Sequence, residues 1–253
     1  MISNQTLLDR ILAPRPNVKE IVDVSYPVTS FGDLNKARVL TIGINPSIDE
    51  FYDRSRRRNI LSADSKRFID SEMLGVQPGA NLTTRQAEQV LASNNSYFSD
   101  SGNPYHWFNS LEQYALRPIG ASYFDGSAAH IDLVQWATNP VWSKIKSVET
   151  RQILLADGQD FLLRTLYEGQ WDLVIANGKQ VYDTMRGNKL FKLFEREEPV
   201  IGGRRRQFWN GIAGNSPLVA WTVNLPVYGT SVETRNYVSN WVENAYSRVQ
   251  EPD

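Results

Sequence analysis

The sequence predicts an α/β layer fold, a three-layer sandwich in which a mostly parallel central sheet of four strands is flanked by helices. Short apolar runs recur along the chain, most of them ending in Gly, Asn or Pro; stretches of helical periodicity separate them. No internal repeat, low-complexity tract or Pro/Gly/Ser-rich linker interrupts the series. Residues 1–253 are therefore expected to form a single domain.

Leu7, Leu8, Ile11 and Leu12 fall at helical spacing, and Pro14 and Pro16 stop that helix. Arg38-Val39-Leu40-Thr41-Ile42-Gly43 reads as a buried strand running into a sharp Asn-Pro loop. Residues 48–103 are polar and charge-dense, with little strand signal, and read as a basic insertion over that loop; long insertions in compact domains are functional or mobile as a rule. Helical patterns follow at 107–116, 149–167, 180–185 and 234–246. Between them lie the strands Ile131-Asp132-Leu133-Val134, Trp171-Asp172-Leu173-Val174-Ile175-Ala176 and Leu218-Val219-Ala220-Trp221-Thr222-Val223. Ligands of such sheets bind beyond the carboxyl ends of the strands, so 45–47, 132–139, 177–179 and 224–230 are the segments expected to carry function.

Composition removes several classes of function. The chain has no cysteine, so thiolate metal sites, cysteine nucleophiles and disulfides are impossible, and its two histidines, His106 and His130, argue against a histidine-rich metal centre. Neither a metal nor any other cofactor is expected. No apolar run approaches the length of a membrane helix, and the opening MISNQTLLDR lacks the layout of a secretory signal, so a cytoplasmic, monomeric protein without a membrane partner is expected. Twenty-seven basic residues against 28 acidic ones leave a net charge of −1, so any nucleic-acid contact must come from local clusters. No Walker loop, dinucleotide fingerprint or Gly-x-Ser-x-Gly elbow is present.

Taken alone, Gly43-Ile44-Asn45-Pro46-Ser47 is a strand-to-loop turn. In order along the chain, however, Gly43-Ile44-Asn45-Pro46, the segment 131–138, Asn177-Gly178-Lys179-Gln180-Val181-Tyr182 and Asn224-Leu225-Pro226-Val227-Tyr228-Gly229 resemble the motifs of the uracil-DNA glycosylase superfamily. The form is that of its thymine-DNA and mismatch-specific uracil-DNA glycosylase branch. The resemblance covers roughly 39–241 without the insertion and implies a uracil-DNA glycosylase-like sandwich that flips a base from the stack and cleaves its bond to the sugar.

On that resemblance Asn45 positions the attacking water. Gly43, Ile44, Pro46 and Ser47 shape the base-binding loop, and Tyr105 of the Pro104-Tyr105 pair stacks on the base, with Phe51, Tyr52 and Trp107 as substitutes. For Trp107, core packing is the better reading. Asp132 stands where relatives carry an Asn that reads uracil or thymine. A carboxylate offers only acceptors, which suits the N4 amine of cytosine and repels the O4 of uracil; protonated, it would also donate to N3. A solvated or capping Asp at a strand end is the plain alternative. Asn224 is a further base contact. The second motif departs from the family pattern, with Leu225 before Pro226 and no His; Pro226 and Tyr228 are expected to enter the minor groove, Tyr228 as a wedge.

Arg54, Arg56, Arg57 and Arg58, and Arg204, Arg205 and Arg206, are usually solvated surface when met as runs; beside such a pocket, phosphate contacts are expected, joined by Lys179. The expected function is thus a monofunctional DNA glycosylase acting on a flipped, modified pyrimidine, such as the hydroxymethylated or glucosylated cytosine of phage DNA. It would serve antiviral defence rather than DNA repair. Repair of uracil or thymine mismatches, and a catalytically inactive DNA-binding module of the same fold, stay open as alternatives.

Overall fold

The computed structural model describes residues 1–53, 67–100, 104–187, 191–225 and 230–250. In chain order the elements are α1 (Asn4–Leu12), β1 (Val39–Gly43), α2 (Thr84–Asn95), α3 (Tyr97–Asp100), α4 (Phe108–Leu111), β2 (Ala128–Asp132), α5 (Val148–Glu168), β3 (Leu173–Asn177) and α6 (Lys179–Gly187). They continue with β4 (Phe191–Glu197), β5 (Val200–Ile201), β6 (Arg204–Arg205), β7 (Phe208–Ala213), β8 (Ser216–Trp221) and α7 (Val232–Gln250). Two compact units form: Met1–Asp33, Ile44–Pro104 and Ile131–Thr165 make the first, and Leu34–Gly43, Tyr105–His130 and Leu166–Asp253 the second.

The fold is α/β, with a central sheet flanked by helices, but the sheet has six strands where the sequence led us to expect four. Its order is β2-β1-β3-β8-β7-β4, and it lies in the second unit except for Ile131 and Asp132 at the end of β2. β1 and β3 are buried at every position, as parallel strands covered on both faces must be, so they read as unbroken apolar runs. They pair in parallel with Val39 opposite Leu173, and β3 pairs with β8 with Val174 opposite Leu218. The additional strands β7 and β4 extend the sheet in antiparallel fashion. β4, Phe-Lys-Leu-Phe-Glu-Arg-Glu, is largely exposed, and its charges suit the edge of a sheet. Strand β2 begins three residues earlier than its apolar run suggests, at Ala128 rather than Ile131. Helices α6 and α7 pack on this sheet.

In the first unit, Ser3 caps α1 by accepting from the Thr6 N–H at 3.0 Å, and the helix buries Leu7, Arg10 and Ile11. Val18, Ile21, Val134, Trp136, Trp142, Ile145 and Leu154 form one apolar core. A second cluster joins Phe31, Phe51, Phe68 and Tyr97, with Phe68 stacked on Tyr97 at 4.8 Å and Phe31 edge-on to both. The described part of the 48–103 segment is therefore folded, with α2 capped by a reciprocal Thr83–Gln86 box. Arg54, Arg56, Arg57 and Arg58 lie outside the described residues.

Candidate active site

The chain leaves β1 at Gly43 through Ile44-Asn45-Pro46-Ser47. The Ile44 carbonyl accepts from the Val134 N–H at 3.0 Å, so within the first unit this exit runs beside the chain that leaves β2. Ser47 is in extended conformation and caps a 3-10 turn, Ile48–Glu50, its Oγ accepting from the Asp49 N–H at 3.1 Å. The turn carries Asp49 and Glu50 into the interior.

Asn45 is half-buried, and its Nδ2 donates to the Pro46 carbonyl at 3.0 Å, the Thr138 Oγ1 at 3.0 Å and the Trp136 carbonyl at 3.5 Å. Two of these acceptors are carbonyl oxygens, which never donate, so the amide has one orientation only. Its Oδ1 points away from them and takes no hydrogen bond among the described residues. The side chain is thus a fixed, half-buried acceptor, a geometry that can orient a water molecule.

The loop supplying those acceptors, 133–138, is braced from behind. Gln135 is fully buried; its Nε2 donates to the Asp132 carbonyl at 2.7 Å and its Oε1 accepts from Arg10 Nε at 3.0 Å. Arg10 also pairs with Asp157, which accepts from the Trp136 indole N–H at 2.9 Å. Helix α5 can press on this loop because residue 158 is glycine: a Cβ there would lie 2.4 Å from Gln135 Oε1 and 3.1 Å from the Leu133 carbonyl. Gly158→Ala gains about 1 kcal/mol of helix propensity. Against this, displacing a buried, hydrogen-bonded Gln and overpacking the loop cost about 2–4 kcal/mol together. A net loss on the order of 2 kcal/mol is expected in denaturant melts, and a variant as stable as wild type would contradict this account of the brace.

Asp132, 3% exposed, ends β2 in the first unit. Its charge is felt by Glu50, which is 2% exposed. The Tyr97 hydroxyl stands 3.1 Å from both Glu50 oxygens, and Arg67 Nη1 lies 3.7 Å from Oε2. Burial pushes the Glu50 carboxyl up to about 8; Arg67 and the Tyr97 hydroxyl oppose this, and the charges of Asp132 and Asp49 add to it. Glu50 was not singled out from the sequence, although two acids flanked by Ile48 and Phe51 so soon after Asn45 were a signal. Phe51 itself is stacked on Phe68 at 5.9 Å in the aromatic core and is no substitute for a base-stacking ring. The Tyr52 hydroxyl donates to Asp23 at 2.6 Å; burial and that carboxylate push its pKa up.

Other expected site residues fall in the second unit. Tyr105 is half-buried just before α4, edge-on to His106 at 4.7 Å, its carbonyl accepting from the Phe108 N–H. Trp107 packs edge-on against His130 at 5.3 Å and Phe108 at 5.1 Å, in keeping with a packing role. The end of β3 is tied to the end of β8: Asn177 Oδ1 accepts from the Trp221 indole at 2.8 Å, and its Nδ2 donates to Asn224 Oδ1 at 3.4 Å. Gly178, with φ +99°, makes the turn into α6, where a side chain would be strained. Asn224 is exposed, and Lys179, also exposed, pairs with Asp183 one helical turn on. Pro226 and Tyr228 lie outside the described residues.

Strands β5 and β6 make a small hairpin whose two-residue turn is Gly202-Gly203, at φ +57° and +72°, the pairing that a tight hairpin demands. It displays Arg204 and Arg205 to solvent; Arg205 lies 3.5 Å from Glu198, while Arg206 is half-buried.

Among the described residues, no helix is long and apolar enough to cross a membrane, and no group of three or more His, Asp or Glu is placed to hold a metal ion. Comparison with protein-family models and with curated protein sequences found no match.

Proposed function

We propose that the protein is a monofunctional DNA glycosylase that hydrolyses the bond between sugar and base of a flipped, modified cytosine and leaves an abasic site. The observation that carries this reading is the single orientation of Asn45, whose Nδ2 is taken up by Pro46, Trp136 and Thr138 while Oδ1 stays available to accept from water. A water donating to Oδ1 turns a lone pair toward the sugar C1′. A neutral amide is a poor base, so most of the acceleration must come from stabilising the departing base. Asp132, buried on the chain that runs beside Asn45, supplies acceptors for an exocyclic amine, which favours cytosine over uracil. The exposed arginines of the β5–β6 hairpin suit phosphate contacts.

The test is an abasic-site cleavage assay on duplexes carrying uracil, a G·T mismatch, 5-hydroxymethylcytosine or its glucosylated form. Selective release of a modified cytosine is the expected result. Equal or better release of uracil keeps the enzyme class and removes the cytosine argument. Salt-dependent binding with no release from any duplex replaces the enzyme with a binding module.

A further inference from the structure

Asp49 and Glu50, in the turn after Asn45, and Asp132, at the end of β2, are all buried, and Glu50 lies in the field of the other two. The cation that the described residues set against Glu50 is Arg67, and its short hydrogen bond, 2.8 Å, goes to the Asp49 carbonyl rather than to the Glu50 carboxyl at 3.7 Å. Tyr97, on α3, is the hydroxyl donor to Glu50. Buried carboxyls in one another's field do not all ionise; the one with least access to water keeps its proton. Glu50 is the most buried of the three. It sits five residues after Asn45 and is coupled to Asp132, so its charge state bears on the same reaction.

We propose that Glu50 is a positioning residue held as a neutral acid beside Asp132, and that its ionisation sets the alkaline limit of the reaction. This rests on the glycosylase reading. Negative charge grows on the base as its bond to C1′ breaks. A charge on Glu50, away from water, opposes the leaving group; a neutral Glu50 does not. Burial and the fields of Asp132 and Asp49 keep the proton on Glu50 up to about 8, while Arg67 pulls the other way.

The experiment is a single-turnover pH–rate profile on the duplex that the wild type cleaves best, for wild type, Glu50→Gln and Arg67→Gln, with the high-pH rate expressed relative to each protein's own neutral-pH rate. Wild type is expected to lose about tenfold per pH unit above the limit. Glu50→Gln, which has no proton to lose, should not fall there, and Arg67→Gln should fall at higher pH. A wild-type-like alkaline fall in Glu50→Gln overturns the proposal and leaves the glycosylase intact; a wild type that releases no base overturns both. Should Glu50→Gln not fold, the carboxyl carbon resonance of Glu50 in wild-type protein decides: titration near 8 supports the proposal, and titration in the ordinary carboxylate range overturns it.

Discussion

Asn45→Ala is expected to lower single-turnover excision by about 100- to 1000-fold, the loss typical of removing one preorganised group that orients a reactant. The fold should survive, because the side chain is only half-buried and packs in no apolar core, and the loop it contacts is held independently by Gln135 and Asp157. Affinity for the duplex should change little, since the lost interaction is to water and not to DNA. Asn45→Asp is the sharper comparison. A carboxylate still accepts from water, but it faces the Pro46 and Trp136 carbonyls with lone pairs against lone pairs, so the loop must open and the rate should fall as well. Rates on the best duplex, read beside gel-shift affinity, check both. Wild-type excision by Asn45→Ala would remove the residue from the mechanism.

Arg10→Ala is expected to give the largest loss of stability. The guanidinium is only 4% exposed on its side chain and serves two acceptors, Gln135 Oε1 and Asp157, while lying 5.9 Å from the Trp136 ring. Burial alone lowers its pKa, and the pairing with Asp157 opposes that loss. Truncation strands a partly buried carboxylate and a buried amide oxygen, for which about 3 kcal/mol is a fair magnitude. For a chain of this size that corresponds to roughly 6–12 °C in melting temperature. Arg10→Lys should recover only part of it, because an ammonium lacks the planar fork that reaches both acceptors. Thermal melts measure the loss, and an unchanged midpoint in Arg10→Ala would mean the bridge contributes nothing. Because the braced loop holds Asn45, excision at temperatures below the melt should slow as well.

The four expected strands were legible because buried strands leave unbroken apolar runs, as parallel β1 and β3 do in Val39–Gly43 and Leu173–Asn177. The two added strands were not, for an equally physical reason. β4 is a charged edge, and β7 carries Asn210-Gly211 in its middle, a pair that reads as a turn. The available signal was Gly214-Asn215 between two aromatic-rich runs, since Gly214 takes φ +59° in the turn joining β7 to β8. Helix α2 was hidden by a polar sequence, although Thr83 and Gln86 announce its start. At the candidate site, Gly, Asn and Pro marked a strand exit, and Asn45 was singled out only because three further segments followed it in the order of the resemblance. Glu50, Tyr97 and Arg67 were not, since an acid's burial depends on which distant segments close over it, and Tyr97 reaches Glu50 from 47 residues away.

Two of the three groups that orient Asn45 belong to the main chain, at Pro46 and Trp136. Thr138 gives the third through its side-chain hydroxyl, and the Trp136 side chain is itself buried and donates to Asp157, so the setting of that amide depends on the packing that fixes the loop at positions 136 and 138. On the proposed function, a lineage or a designer can exchange the base-selecting group at 132 while the brace at 135, 136 and 138 keeps the water-orienting amide in register, and an insertion or deletion between 133 and 138 is the change that the brace would not survive.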